Sequence, residues 1–307
     1  VTREPKNMAA SVHQRLKNAA AASGQRFNDL LQHYALERFL YRLSVSPHAD
    51  AFVLKGALLL RVWRISAIRP TRDIDLLGRT ANDVEAIART VREVCEVAVD
   101  DDGLVFDAST VRGERIADDA EYEGVRVTFD AHLGNARLRM QVDVGFGDPI
   151  TPAPEEIEYP SVLGMPMPRL RGYPPETTIA EKLHVMLHRG LLNSRMKDYF
   201  DIWSLSRSRP FKGPMLCEAI IATCRQRNTT IVPDPVALSD QALADPQNAA
   251  QWSAFVRRLG KTDAPVTFAE VGAAVADFLG PPIRAIARQE AFDSTWEPPG
   301  PWRSTAP

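Results

Sequence analysis

Asp73-Ile74-Asp75-Leu76-Leu77-Gly78 constrains this chain more than any other stretch. In an extended strand, side chains two apart project from the same face. Asp73 and Asp75 therefore stand side by side, while Ile74 and Leu76 point the other way. Two neighbouring carboxylates repel, and burying them unpaired is costly. A divalent cation removes that cost: Mg2+ or Mn2+ takes hard oxygen ligands and commonly joins one or two carboxylates to substrate phosphates.

The surrounding pattern predicts a sheet. An apolar run, Ala51 to Leu54, reads as a strand; Lys55 and Gly56 follow it, and Ala57 to Trp63 reads as a helix. Pro70 and Thr71 precede the strand over 73–77, and Asn82 is the expected cap of a helix running to about Val97. Residues 104–112, 124–133 and 136–146 alternate apolar and polar as strands do. On the last of these, Leu138, Met140, Val142 and Val144 share one face, while Gln141 and Asp143 share the other. Asp143 is thus a candidate third carboxylate, able to complete a two-metal clamp.

The flanks are helical. Two helices are expected over 6–45, another from Thr178 to His188, and another over Asp198–Leu205. The last helical stretch, 271–287, carries Pro281-Pro282, which is expected to break or kink it. The expected organisation is N-terminal helices over 1–50, a sheet-bearing core over 51–175, a mostly helical part over 176–295 contributing to the same site, and a proline-rich mobile tail over 296–307. The fold class is α/β (α+β), with a mixed sheet followed by helices.

Composition sets outer limits. The 307 residues are 45% apolar and 25% charged, which suits a globular protein. A net charge of -2 gives no overall basic excess for nucleic acid. Cys95, Cys217 and Cys224 fit neither a zinc site nor a disulfide framework, and thiols in a reducing cytoplasm are expected. With no membrane-length apolar run and no signal-like N-terminus, a cytoplasmic location is expected and a membrane partner is not.

Other residues join the carboxylates. A strand, a glycine turn and a helix start form an anion site, because free amides and the helix dipole face the phosphates. Lys55 either reaches a phosphate or ends a strand with a solvated charge. Thr71 offers a hydroxyl to phosphate or caps the turn after Pro70. Arg72 projects away from Asp73. Lys182 is a candidate for holding outgoing pyrophosphate, or an ordinary surface lysine. Asp198 and Asp201, three apart on one helix, either pair with Lys182 or Arg195 or act on an incoming hydroxyl. His184 and His188 have metal-ligand spacing, but no Glu follows His184, so zinc is not expected. Between Arg169 and Lys197 six Lys/Arg stand against two Glu, and Tyr173 and Tyr199 are candidates for stacking on a base.

Three blocks together resemble a known family: Phe52-Val53-Leu54-Lys55-Gly56 with Thr71-Arg72-Asp73-Ile74-Asp75-Leu76-Leu77, then Glu176 through His184, then Lys197-Asp198-Tyr199-Phe200-Asp201-Ile202-Trp203. Over roughly residues 25–210 the chain resembles the AbiEii/AbiGii toxin family of nucleotidyltransferases, which includes the MenT toxins. The resemblance implies a DNA polymerase β-like core, Mg2+ and a nucleoside triphosphate, and membership of a toxin–antitoxin system linked to phage defence. It implies a cognate antitoxin and an RNA acceptor, the 3′ end of tRNA. It implies Asp73 and Asp75 as metal ligands, Lys182 as triphosphate contact and Asp198 as an acid/base or orienting carboxylate. It also matches Lys55 and Thr71 to the family's glycine-loop lysine and to the Ser/Thr before its carboxylates. The family's Gly-Gly-Ser/Thr stands here as Gly56-Ala57-Leu58, without the hydroxyl. The alternatives are transfer to a small molecule or a protein hydroxyl, or a non-catalytic binder of nucleotide or RNA.

Overall fold

The N-terminal periodicity becomes two helices, α1 (Met8–Ser23) and α2 (Phe27–Val45). The computed structural model describes residues 7–65, 71–118, 122–259 and 264–305. Pro70, residues 1–6 and the last two residues of the expected tail lie outside them. α2 is buried all round, through Leu31, Tyr34, Leu36, Phe39, Leu40 and Leu43, the mark of a helix inside a core. Two of its buried charges are answered by paired hydrogen bonds. Arg42 donates to both oxygens of Asp102 at 2.6 and 3.1 Å. Glu37 accepts from the Ser161 hydroxyl and the Val162 amide at 2.9 and 2.7 Å.

The chain continues through β1 (Phe52–Lys55), a 3-10 turn over Gly56–Leu58, α3 (Leu59–Val62), β2 (Asp73–Gly78) and α4 (Val84–Cys95). Then come β3 (Leu104–Asp118), β4 (Tyr122–Leu133), β5 (Ala136–Phe146), β6 (Glu155–Glu158) and β7 (Arg169–Gly172). These strands form one seven-stranded sheet in the order β3-β4-β5-β2-β1-β7-β6. It is mixed, as expected: β2 runs parallel to β5 and β1 to β7, and the other pairs are antiparallel. α4 is capped by Asp83, one residue after the expected Asn82; its carboxylate accepts from the Ala86 amide at 2.7 Å.

The described residues of Val1–Val62, Pro70–Gly147 and Glu155–Gly172 make one compact unit. Its core lies on one face of the sheet, where Leu76, Val142 and Val144 meet Phe39, Leu43, Val91 and Val94. Phe39, Phe106 and Phe129 complete it, with ring centroids 5.1 to 6.1 Å apart. Each fully buried apolar side chain contributes about 1.5–3 kcal/mol. The opposite face carries the polar residues of β2, β4 and β5.

The second unit holds the described residues of Trp63–Arg69, Asp148–Pro154 and Tyr173–Pro307. Its helices are α5 (Pro175–Arg189), α6 (Met196–Ser208), α7 (Gly213–Gln226), α8 (Asp240–Leu243), α9 (Pro246–Leu259) and α10 (Phe268–Arg288). β8 (Phe211–Lys212), β9 (Ser294–Trp296) and β10 (Trp302–Ser304) form a small sheet. Among the described residues no helix is long and apolar enough to cross a membrane.

A break in the last helix and an unpaired tail are both avoided, for one reason. α10 runs through Pro281 and Pro282, and the tail expected to be mobile is a paired hairpin as far as Ser304. Pro282 has no amide hydrogen, so it leaves the carbonyl four residues back, that of Phe278, without its helical donor. The Trp302 indole supplies one, donating to the Phe278 carbonyl at 2.7 Å, and its ring stacks on Phe278 with centroids 5.6 Å apart. Trp296, 3% exposed, donates to the Ser206 carbonyl. Trp302→Phe keeps a ring but removes the donor, so it should cost about 1–3 kcal/mol. A lower urea midpoint at unchanged slope would show this; an unchanged midpoint would mean that the carbonyl has another donor.

Candidate active site

Strand register assembles the first half of the expected site. Antiparallel pairing sets Lys55 on β1 opposite Asp75 on β2. Parallel pairing sets Asp75 beside Asp143 on β5, and Asp73 beside Gln141. Further across, Asp143 faces Arg126 on β4, and Arg126 faces Glu114 on β3. One row over five strands thus reads Lys55, Asp75, Asp143, Arg126, Glu114. A second row carries Asp73, Gln141, Thr128 and Arg112. The alternation is strict: Asp73 and Asp75 are half-buried, whereas Ile74 and Leu76 are buried.

Gly56 is fixed by its neighbour. Its φ of +74° lies in the left-handed region, where a side chain is strained. A Cβ there would overlap Asp75 Oδ2 and stand 2.7 Å from its Cγ. The missing side chain is the seat of the Asp75 carboxylate. The segment that follows does not meet expectation: the helix read from Ala57 to Trp63 is a 3-10 turn and the four residues of α3. So short a helix has few aligned dipoles, and the dipole part of the anion-site reading is withdrawn. Ala57 and Leu58 are buried, 6% and 1% exposed; packing occupies the positions where the family carries a glycine and a hydroxyl.

The other expected residues of this unit vary in standing. The Thr71 hydroxyl donates to the Asp73 carbonyl at 3.4 Å, consistent with a turn cap. Arg72 is exposed, one residue before β2 begins. Asp143 is held by Arg126, whose Nε and Nη2 donate to its two oxygens at 2.8 and 2.7 Å. Gln141 Nε2 lies 3.2 and 3.1 Å from the same oxygens. Arg126 is a residue that sequence reading missed. The signal existed: a two-residue turn at Gly134-Asn135 pairs Leu133 with Ala136, and counting back from it sets residue 126 opposite 143.

Asp73 and Asp75 fit a hard divalent cation, being anionic oxygen donors on one strand face, one of them seated where a Cβ is missing. Among the described residues no three His, Cys, Asp or Glu come together as a metal cluster.

The second unit brings together Lys182 on α5 with Asp198 and Asp201 on α6. Lys182 Nζ lies 3.1 Å from Asp198 Oδ1 and 2.7 Å from Asp201 Oδ2. Arg195 Nε donates to the other Asp198 oxygen at 2.7 Å. The side chains are 12%, 1% and 0% exposed for Lys182, Asp198 and Asp201, so Lys182 is not the surface lysine of the alternative reading. Burial pushes the Asp198 carboxyl up, but Lys182 and Arg195 outweigh it and hold the group below the usual carboxylate range.

The tyrosine-stacking reading does not survive. Tyr173 and Tyr199 are 1% exposed; Tyr199 donates to the Ala237 carbonyl and packs edge-on against Phe268. Neither can stack on a base. His184 shares a hydrogen bond with Thr229, and burial, with Arg227 and His188 nearby, pushes it down to about 4. It is a packed neutral imidazole.

Comparison with known proteins closes the argument. No curated protein matches the chain. Two Helicobacter pylori crystal structures are similar to it. One, described as a candidate nucleotidyltransferase, is 15% identical with a TM-score of 0.43 and covers 85% of this chain and 96% of its own. The other, JHP933, is 12% identical with a TM-score of 0.35, covering 85% and 93%. Both scores are too low to carry an assignment. The family model for the nucleotidyl transferase AbiEii toxin of type IV toxin–antitoxin systems matches residues 38–289, most of the chain and every candidate residue above. The three sequence blocks, the mixed sheet and that match agree: the chain belongs to the AbiEii family of nucleotidyltransferase toxins.

Proposed function

We propose that this nucleotidyltransferase moves a nucleotide from a nucleoside triphosphate to an RNA acceptor, the 3′ end of tRNA, with release of pyrophosphate, as the toxin of a phage-defence system with a cognate antitoxin. The observation that carries the reading is the Lys55–Asp75–Asp143 row with Asp73 beside it and Gly56 beneath it. Asp73 and Asp75 would hold Mg2+ or Mn2+, which supplies charge neutralisation at the transferred phosphoryl group and a more acidic attacking hydroxyl. Lys55 offers a cation at the edge of that row, and Thr71 and Arg72 flank it in sequence. Lys182 would contact the triphosphate. Asp198, held below the usual carboxylate range, is a poor proton acceptor; of its two expected roles, orienting Lys182 is the one favoured.

An RNA acceptor is favoured by the open sheet face that carries Asp73 and Asp75. Arg112, Arg137 and Arg139 are exposed on that face, the last two 69% and 56%. Phosphate contacts need such cations. They add to the basic stretch between Arg169 and Lys197, where the Arg169 and Arg171 side chains are 83% and 43% exposed.

The test supplies the protein with α-labelled nucleoside triphosphates, Mg2+ and total RNA. Label should appear at RNA 3′ ends; recovery in protein or small molecules instead would redirect the acceptor assignment. Asp73→Asn with Asp75→Asn should lower transfer at least ~100-fold, since a metal clamp contributes several kcal/mol to the transition state. Undiminished transfer by that variant would remove the metal assignment.

A further inference from the structure

We infer that Arg137 and Arg139, bridged by Asp130, form a backbone subsite for the acceptor strand. They grip its phosphodiesters about two to four nucleotides before the reacting 3′ end. This rests on the RNA reading above and gives the acceptor a minimum length.

The sheet face has two ends. One holds Asp73, Asp75 and Asp143, with Lys55 and Arg126 among them. Asp73 pairs with Gln141, and period-two alternation carries the same face along β5 to Arg139 and Arg137. Asp130 on β4 stands opposite Arg139. At this end the balance of charge reverses. One guanidinium would neutralise Asp130, and two meet it. Asp107, opposite Asp130 on β3, is matched in charge by Arg112 on the same strand.

The arginine pair is held in place. Arg137 Nη2 donates to Asp130 Oδ2 at 2.8 Å, and Arg139 Nη1 to Asp130 Oδ1 at 3.3 Å. Arg139 Nη2 also donates to the Thr128 hydroxyl at 2.7 Å. The shared carboxylate is 5% exposed, whereas both arginines stand open to solvent. A buried anion thus holds two exposed forks at successive levels of one strand. An unheld arginine loses much side-chain freedom when it grips a ligand, and a held one loses less. The guanidinium fork suits the paired oxygens of a phosphodiester.

Strand register supplies a ruler. Since Asp73 is level with Gln141, Arg139 lies two residues further along β5 and Arg137 four. At ~3.3 Å per residue these are roughly 7 and 13 Å beyond the carboxylate. A nucleic-acid strand advances about 3.4 Å per nucleotide. With the reacting 3′ end at Asp73 and Asp75, the two arginines meet phosphates about two and four nucleotides behind it.

The experiment measures nucleotide transfer by the full chain to single-stranded RNA oligonucleotides of about two to ten nucleotides, at several salt concentrations. In the natural protein KM should fall about tenfold between two and six nucleotides and then level off, the scale of a charge-assisted contact. Arg137→Gln with Arg139→Gln keeps amide donors for Asp130 and removes both charges. It should reduce that gain in KM to less than about threefold. On the six-nucleotide acceptor its log–log salt dependence should be shallower by about 1.4, at ~0.7 per phosphate contact for single strands. Arg137→Gln alone leaves Arg139 on Asp130 and should show about half of each effect, which keeps the test open if the double variant folds poorly. A gain with length that persists in both variants overturns the inference and leaves these arginines to an acidic protein partner. A loss of the same factor at every length, or transfer to total RNA but to no oligonucleotide, also overturns it. Absence of transfer to any RNA by the natural protein is a different result: it removes the RNA reading itself.

Discussion

Gly56→Ala is expected to remove nearly all transferase activity and to destabilise the first unit by about 3 kcal/mol or more. Two costs combine. A non-glycine residue at φ +74° costs about 1–2 kcal/mol in backbone strain. The new methyl would also overlap Asp75 Oδ2 and press its Cβ, 2.8 Å away, in a strand paired on both sides. Either the strand or the carboxylate must shift, and overpacking of this kind costs about 1–3 kcal/mol. The costs can be separated. In an Asp75→Gly background the overlap disappears and only the backbone strain remains. Gly56→Ala should therefore cost about 1–3 kcal/mol less there than in the natural sequence, measured by urea unfolding as a double-mutant cycle. Equal costs in both backgrounds would show that Asp75 does not rest on Gly56.

That glycine shows why parts of the site were legible in the sequence. Period-two alternation is local, so the shared face of Asp73 and Asp75 and the opposite face of Leu138 to Val144 follow from the residues themselves. Their meeting does not. It needs β5 to lie parallel beside β2, and parallel pairing is made by long connections whose register no short pattern encodes. Antiparallel pairing is different. Arg126 opposite Asp143 was countable from the Gly134-Asn135 turn, but only for a reader asking what balances Asp143. The helical part divides in the same way. α5 and α6 follow from apolar spacing. Burial of Tyr173 and Tyr199, and survival of α10 through two prolines, depend on residues far along the chain. A donor 24 positions away, Trp302, takes up the carbonyl that a local rule leaves unanswered. Local rules state the cost of a broken hydrogen bond; only the assembled fold states who replaces it.

The second large effect belongs to the buried ion cluster. Asp198→Ala is expected to destabilise the second unit by about 3–5 kcal/mol, the usual cost of removing one partner from a buried charge pair. It would remove the carboxylate that both Lys182 and Arg195 bond. Asp198→Asn should cost less, since an amide oxygen can still accept one hydrogen bond. The two variants should also differ from the natural protein in acid. The folded pKa of Asp198 lies below its unfolded value, which is about 3.9. The carboxylate therefore contributes fully above roughly pH 4 and loses that contribution as pH falls through the lower folded value. Stability of the natural protein should drop over that window, and the drop should be shallower in Asp198→Asn, which has no proton to take up there. The comparison is made by urea unfolding at pH 7 and at successive steps below pH 4. Equal acid sensitivity in the two proteins would mean that Asp198 is not held as an anion by Lys182 and Arg195. The orienting role proposed for it would then fall as well, because a carboxylate that does not hold Lys182 cannot aim it at a phosphate.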